Sequence, residues 1–164
     1  MPDRSLPFHH ESAGPANAPL GPVFAFLDDL RALAGHMGES SMMMLGSRMS
    51  INVDAGGARV SGSKIRTQGR MMGIRLSLEE VATKRQLPAM TGWKTIGTSK
   101  LLVISHDRMG FEMTCHAASL LVHVFIDYSL PISAPSSWLG HLLGAVYARC
   151  RTRQMVMGAA RHFT

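Results

Sequence analysis

The sequence predicts an α+β domain, a curved antiparallel β-sheet of about six or seven strands gripping one long C-terminal helix. Three observations lead there. The stretch KLLVISHDRMGFEMTCHAASLLVHVFIDYSLP alternates apolar and polar residues on both sides of a short break, as the two arms of a hairpin do. The stretch WLGHLLGAVYARCRTRQMVMGAARHF carries apolar residues at helical spacing after Pro131 and Pro135. A shorter helical pattern, VFAFLDDLRAL, precedes the change to strand period. The chain of 164 residues, 46% hydrophobic and 17% charged, fits a packed domain rather than a disordered segment.

Residues 1–21 read as a loose N-terminal arm with a weak first strand, and 22–164 as the folded domain. Gly14 to Pro22 contains three prolines and two glycines, and the opening stretch has no apolar run of a secretory signal. Pro22 suits the first turn of a helix, where its missing N–H costs nothing. Val23, Phe24, Phe26, Leu27, Leu30 and Leu33 then recur on one helical face, and Gly35 or Gly38 ends the pattern. Two short helical pieces are expected over roughly 22–37.

The period then changes. Met49, Ile51 and Val53 alternate with polar neighbours, and a second strand-like run covers 58–68. In MMGIRLSLEEVATKRQ the alternation slips at Glu79–Glu80, which reads as a β-bulge. Pro88 and Gly92 bracket a turn before a short strand. In the hairpin, pairing Met113 with Leu120 sets Phe111 against Val122 and Met109 against Val124, with Ile126 and Tyr128 on the same face. His106, Arg108, Glu112, His123 and Asp127 go to the other face, where Leu121 and Phe125 break the polar pattern and imply partial cover. Ser136 or Ser137 can cap the final helix. Its apolar stripe reads as Leu139, Leu143, Val146, Cys150, Met157 and Ala160, with Arg149, Arg151 and Arg161 away from it.

The net charge of +6 is spread along the chain with no run of five Lys or Arg, so no specific nucleic-acid partner is expected. Two cysteines, Cys115 and Cys150, make no disulfide framework and are expected unpaired in a reducing compartment, the cytoplasm by default. No stretch approaches the ~20 apolar residues of a transmembrane helix. The eight histidines form no HExxH set, and no GxSxG, CxxC or phosphate loop is present, so no catalytic set, metal or cofactor is assigned.

The 13 methionines raise one further question, sharpest at SSMMMLGSRM. Copper(I) needs thioethers converging on one point, which the consecutive Met42, Met43 and Met44 cannot supply. Core packing and the adaptable lining of a pocket remain the two readings.

These stretches together resemble the SRPBCC, or START-like helix-grip, superfamily of polyketide cyclase/dehydrase and lipid-transport proteins. The resemblance lies in VFAFLDDLRALAGHM, SSMMMLGSRM, GSKIRTQGRMMGIRLSLEEV, RMGFEMT, VFIDYSLP and WLGHLLGAVYARCRTRQMV, across most of 22–163. It departs at LPFHHESAGPANAPL, where Gly14 and Pro15 leave a first strand expected to be short, frayed or missing. The resemblance implies two short helices after that strand and a deep apolar cavity between sheet and C-terminal helix. The wall would comprise Met109, Phe111, Val122, Val124, Ile126 and Tyr128 with Leu139, Leu143 and Val146, extended by Met37, Met42, Met44, Leu76 and Trp93. His36, near the cavity mouth, and Ser105 and Asp107 on the inner face are the polar candidates. The function implied is binding of a lipophilic small molecule such as a lipid, quinone or polyketide. A cyclase, aromatase or dehydratase using an Asp–Tyr pair is one alternative. An interaction protein whose cavity is filled by side chains is the other, and no protein partner is identified.

Overall fold

A computed structural model of the chain describes residues 5–29, 48–54, 59–71, 74–97, 99, 103–116, 119–131 and 137–163. The chain runs β1 (Phe8–Ala16), α1 (Leu20–Asp28), β2 (Arg48–Val53), β3 (Lys64–Met71), β4 (Ile74–Gln86), β5 (Met90–Thr95), β6 (His106–His116), β7 (Ser119–Ser129) and α2 (Ser137–His162). The strands form a seven-stranded sheet in the order β1-β7-β6-β5-β4-β3-β2, every neighbouring pair antiparallel. α2 lies against the inner face, chiefly over β1 and β7. Among the described residues no helix is long and apolar enough to cross a membrane. Cys115 is exposed on β6 and Cys150 is partly buried on α2, with no disulfide between them. Of the two expected short helices, α1 is observed, and the region of the second lies outside the described residues.

β1 corrects the expectation of a loose arm. It pairs with β7 without a break from Phe8↔Tyr128 to Ala16↔Leu120. The two residues that argued against it have physical reasons. β1 is an edge strand, where a proline is tolerated because one side of the ladder is unpaired. Gly14 faces α2 so closely that a Cβ there would stand 2.6 Å from Val156 Cγ1. Glycine is thus a packing requirement of the helix–strand contact, not a sign of disorder.

Two register expectations are also corrected. In the β6–β7 hairpin Met113 opposes Val122, Phe111 opposes Val124 and Met109 opposes Ile126. The shift from the expected pairing is two residues, because the connection is shorter than CHAA, and an even shift leaves every side chain on its expected face. The slip at Glu79–Glu80 is not a bulge. Pairing of β3 with β4 is regular through Arg66↔Glu79 and Ile65↔Glu80, and the register shift lies instead between Ala82 and Lys84 on the β5 side. Glu80 therefore keeps the alternation and points inward between Leu78 and Ala82, all three buried.

The helix face is rotated from its sequence reading. Gly144, Ala148, Thr152, Met155, Val156 and Ala159 are buried, whereas Leu143 is 47% exposed and is not part of the wall. Small residues make the contact: a Cβ on Gly144 would stand 2.7 Å from Leu130 Cδ2 and 3.0 Å from Tyr128 Cε2. A reading that follows the largest apolar residues selects the wrong face when the seam is made of small ones. The core itself joins Val23, Phe24 and Leu27 of α1 to Phe111, Met113, Val122, Val124 and Ile126 of the sheet and Met155, Val156 and Ala159 of α2. Each large side chain buried there contributes roughly 1.5–3 kcal/mol. α1 is tied to β4 by a two-pronged ion pair, Arg85 Nη1 and Nη2 donating to Asp28 Oδ1 and Oδ2 at 2.7 and 2.6 Å.

Candidate functional site

Antiparallel register carries one row of inward side chains across the sheet. Ile65 of β3 opposes Glu80 of β4, and Glu80 opposes Thr95 of β5. Thr95 bonds Asp107 of β6, Asp107 opposes Tyr128 of β7, and Tyr128 opposes Phe8 of β1. Two carboxylic acids, a threonine and a tyrosine thus stand in line across the buried inner face. Thr95 Oγ1 donates to Asp107 Oδ1 and accepts the Asp107 backbone N–H at 3.0 Å. Asp107 is 2% exposed and Glu80 is 9% exposed.

α2 completes the cluster. Tyr147 and Arg151, one helical turn apart, both turn toward the sheet and are partly buried. The Arg151 guanidinium carbon lies 5.9 Å from the centre of the Tyr147 ring, and one of its nitrogens lies 3.9 Å from the Met109 sulfur. Arg151 attracts both carboxylates through space but makes no contact ion pair with either. Glu80 likewise accepts no side-chain hydrogen bond from a described residue.

The electrostatics follow from burial. Removal from water raises the Glu80 carboxyl to about 7, the charge of Asp107 adds to the rise, and Arg151 opposes it. Burial also raises Asp107, against the Thr95 hydrogen bond and Arg151. Tyr147 is raised by burial. The neighbouring row, Ala82–Trp93–Met109–Ile126–His10, is apolar at its centre, yet among the described residues the buried Trp93 Nε1 has no hydrogen-bond partner, and neither does the buried Thr91 Oγ1 beyond it. At the β1 end, Thr152 takes both His10 Nδ1 at 3.1 Å and Ser12 Oγ at 2.9 Å, so that seam is satisfied internally.

Of the residues expected on the wall, Trp93, Met109, Phe111, Val122, Val124, Ile126 and Tyr128 share the inner face and are buried, and Val146 is partly buried. Leu76 is also buried, but it borders a cleft of about 430 Å³ at the far end of β3–β4 with Gln68, Gly69, Arg70, Arg75 and Ser77. Asp107 occupies the expected inner-face position. Ser105 lies outside the row, its Oγ 2.9 Å from His106 Nδ1. His36, Met37, Met42 and Met44, and the side chain of Leu139, lie outside the described residues.

Sequence reasoning missed Glu80, Thr95, Tyr147 and Arg151. The available signals were the slip at Glu79–Glu80, where an inward glutamate mimics a bulge, and the Tyr147–Arg151 spacing of one turn. A second polar network occupies the outer face: Arg108 and His9 both bond Asp127, and His123 bonds Glu11. It is open to solvent and saturates itself.

No family model matches the sequence, and no curated protein matches it significantly. Solved structures do match in fold. A protein of Thermus thermophilus, TTHA0849, is 13% identical with a TM-score of 0.64, over 94% of this chain and 94% of that one. Ara h 8.0201 is 8% identical with a TM-score of 0.60, over 93% of this chain and 97% of that one. The major latex-like protein 151 of Panax ginseng is 14% identical with a TM-score of 0.54, over 93% of this chain and 97% of that one. The architecture they share with this chain is the α+β helix-grip fold, a curved antiparallel sheet with a C-terminal helix.

Proposed function

We propose that this helix-grip protein binds a lipophilic small molecule between the inner face of the sheet and α2, with the polar end of the ligand at Glu80, Asp107 and Arg151. The observation that carries the reading is the buried polar row itself. Opposite charges face each other without contact, and the nearby Trp93 Nε1 has no partner among the described residues. A buried polar group left unpaired costs ~1–3 kcal/mol, so a cluster serving stability alone is expected to close on itself. Apolar walls with a few convergent polar groups are the usual make-up of a small-molecule site. The body of the guest binds by burying apolar area, at roughly 25 cal/mol per Å² before ordering costs.

The test is titration with an uncharged naphthyl ketone probe whose emission shifts in apolar surroundings. Saturable binding, weakened by Met109→Thr, which shortens the wall beside Arg151 and adds a hydroxyl to it, is the expected result. An unshifted probe over the full titration overturns the reading in favour of an interaction protein with a filled interior. A second reading, proton-transfer catalysis at the same site, draws on one observation, a glutamic acid poised at about 7 beside a second carboxyl group. Turnover of a ligand abolished by Glu80→Gln supports it; release of that ligand unchanged excludes it.

A further inference from the structure

We propose that the polar end of the ligand is a basic nitrogen, so that the site selects lipophilic amines over fatty acids and other lipophilic anions. This rests on the binding reading above and adds the chemical class. The argument is a count of charge among buried groups. β4 contributes Glu80 and β6 contributes Asp107. Facing Glu80 are Ile65 from β3, Thr95 from β5, and Tyr147 and Arg151 from α2. Arg151 is the one cation among these groups, and His106 acts on Asp107 from the solvent side.

With both acids ionised the cluster carries one uncompensated negative charge. The chain alone meets that cost by keeping a proton on Glu80. An incoming ammonium supplies the missing positive charge and donates to the open lone pairs of Glu80, a side chain 9% exposed with no hydrogen-bond donor among the described residues. An incoming carboxylate adds a third anion to a buried pair that already repels itself, and Arg151 cannot neutralise three. An aromatic or aliphatic body then lies on the row of Trp93, Met109 and Ile126.

The proposal carries a sign. The amine takes the place of the proton on Glu80, so binding releases that proton. With Glu80 at about 7, the competent ionised form grows as pH rises, and amine affinity increases ~tenfold from pH 6 to pH 8, still below the ~10 at which an alkyl amine loses its own charge. Fatty-acid affinity moves the other way.

The experiment is calorimetric titration of the purified protein with dodecylamine, dodecanol and dodecanoic acid, below their aggregation limits, at pH 6, 7 and 8, in two buffers of different ionisation heat. The amine is expected to bind at least tenfold tighter than either competitor at pH 8, with proton release. In Glu80→Gln and in Asp107→Asn the amine-to-alcohol ratio is expected to fall toward one. Dodecanoic acid binding as tightly as the amine, or a preference intact in both variants, overturns the proposal. Alcohol binding without amine preference overturns this inference alone, and failure of all three chains overturns the binding reading with it.

Discussion

Around Phe111 and Val124 the interface between sheet and helix is closed with hydrocarbon. α1 brings Phe24 to 5.6 Å from the Phe111 ring, Trp93 stands at 6.0 Å on the other side, and Val156 presses on the bare backbone of Gly14. Around Glu80 and Asp107, on the same face of the sheet, the interior is polar and its opposite charges stop short of each other. The first region exchanges apolar area for stability, and the unpaired Trp93 Nε1 lies at its border with the second. The second holds charge in low dielectric, which costs stability and pays no return within the chain. That contrast locates the functional part of the interior in the polar row rather than along the full apolar wall.

The largest expected effect comes from breaking the closed region. Phe111→Ala removes a fully buried ring at the centre of the core and should destabilise the fold by ~3–5 kcal/mol in urea unfolding. Removing one member of the buried Arg85–Asp28 pair, as Arg85→Ala, strands the Asp28 carboxylate and should cost ~3–5 kcal/mol by the same measurement. Gly14→Val drives side-chain atoms into Val156 and should cost ~1–3 kcal/mol.

The polar region should respond with the opposite sign. Glu80 has a folded value of about 7 against an ordinary 4.5, so between those values the folded chain keeps a proton that the unfolded chain has lost. Wild-type stability therefore falls as pH rises from 4.5 to about 7. Glu80→Gln, which stays neutral, should be more stable than wild type at pH 8 by on the order of 1–3 kcal/mol, the advantage vanishing near pH 4. The smallest effect belongs to a residue expected on the wall and found outside it: Leu143→Ser should change stability by less than ~0.5 kcal/mol. A loss of several times that size would return Leu143 to a buried face.

The closed region was legible because its signal is periodicity. Phe111, Val122, Val124 and Ile126 alternate along two strands, and an even error in register leaves them on the right face. β1 was undervalued because Gly14 and Pro15 break strand propensity, while the contact that requires Gly14 comes from Val156, 142 positions away in the sequence. The polar row was hidden for a related reason. A pattern of apolar inside and polar outside assigns every glutamate and arginine to solvent, so Glu80 read as a bulge and Arg151 as a surface charge. Their meeting is a product of strand order and helix placement, which no local window contains. Asp107 and Tyr128 could be placed, since Asp107 shares its face with Met109 and Phe111 two and four residues on, and Tyr128 shares its face with Ile126 and Val124.

The central claim, that a buried acid pair is held partly protonated at neutral pH, is tested most directly by carbon-13 NMR of the side-chain carboxyl groups. The account predicts an upper titration step for the Glu80–Asp107 pair near 7, absent in Glu80→Gln. A Glu80 carboxyl that titrates at its ordinary value of 4.5 contradicts it.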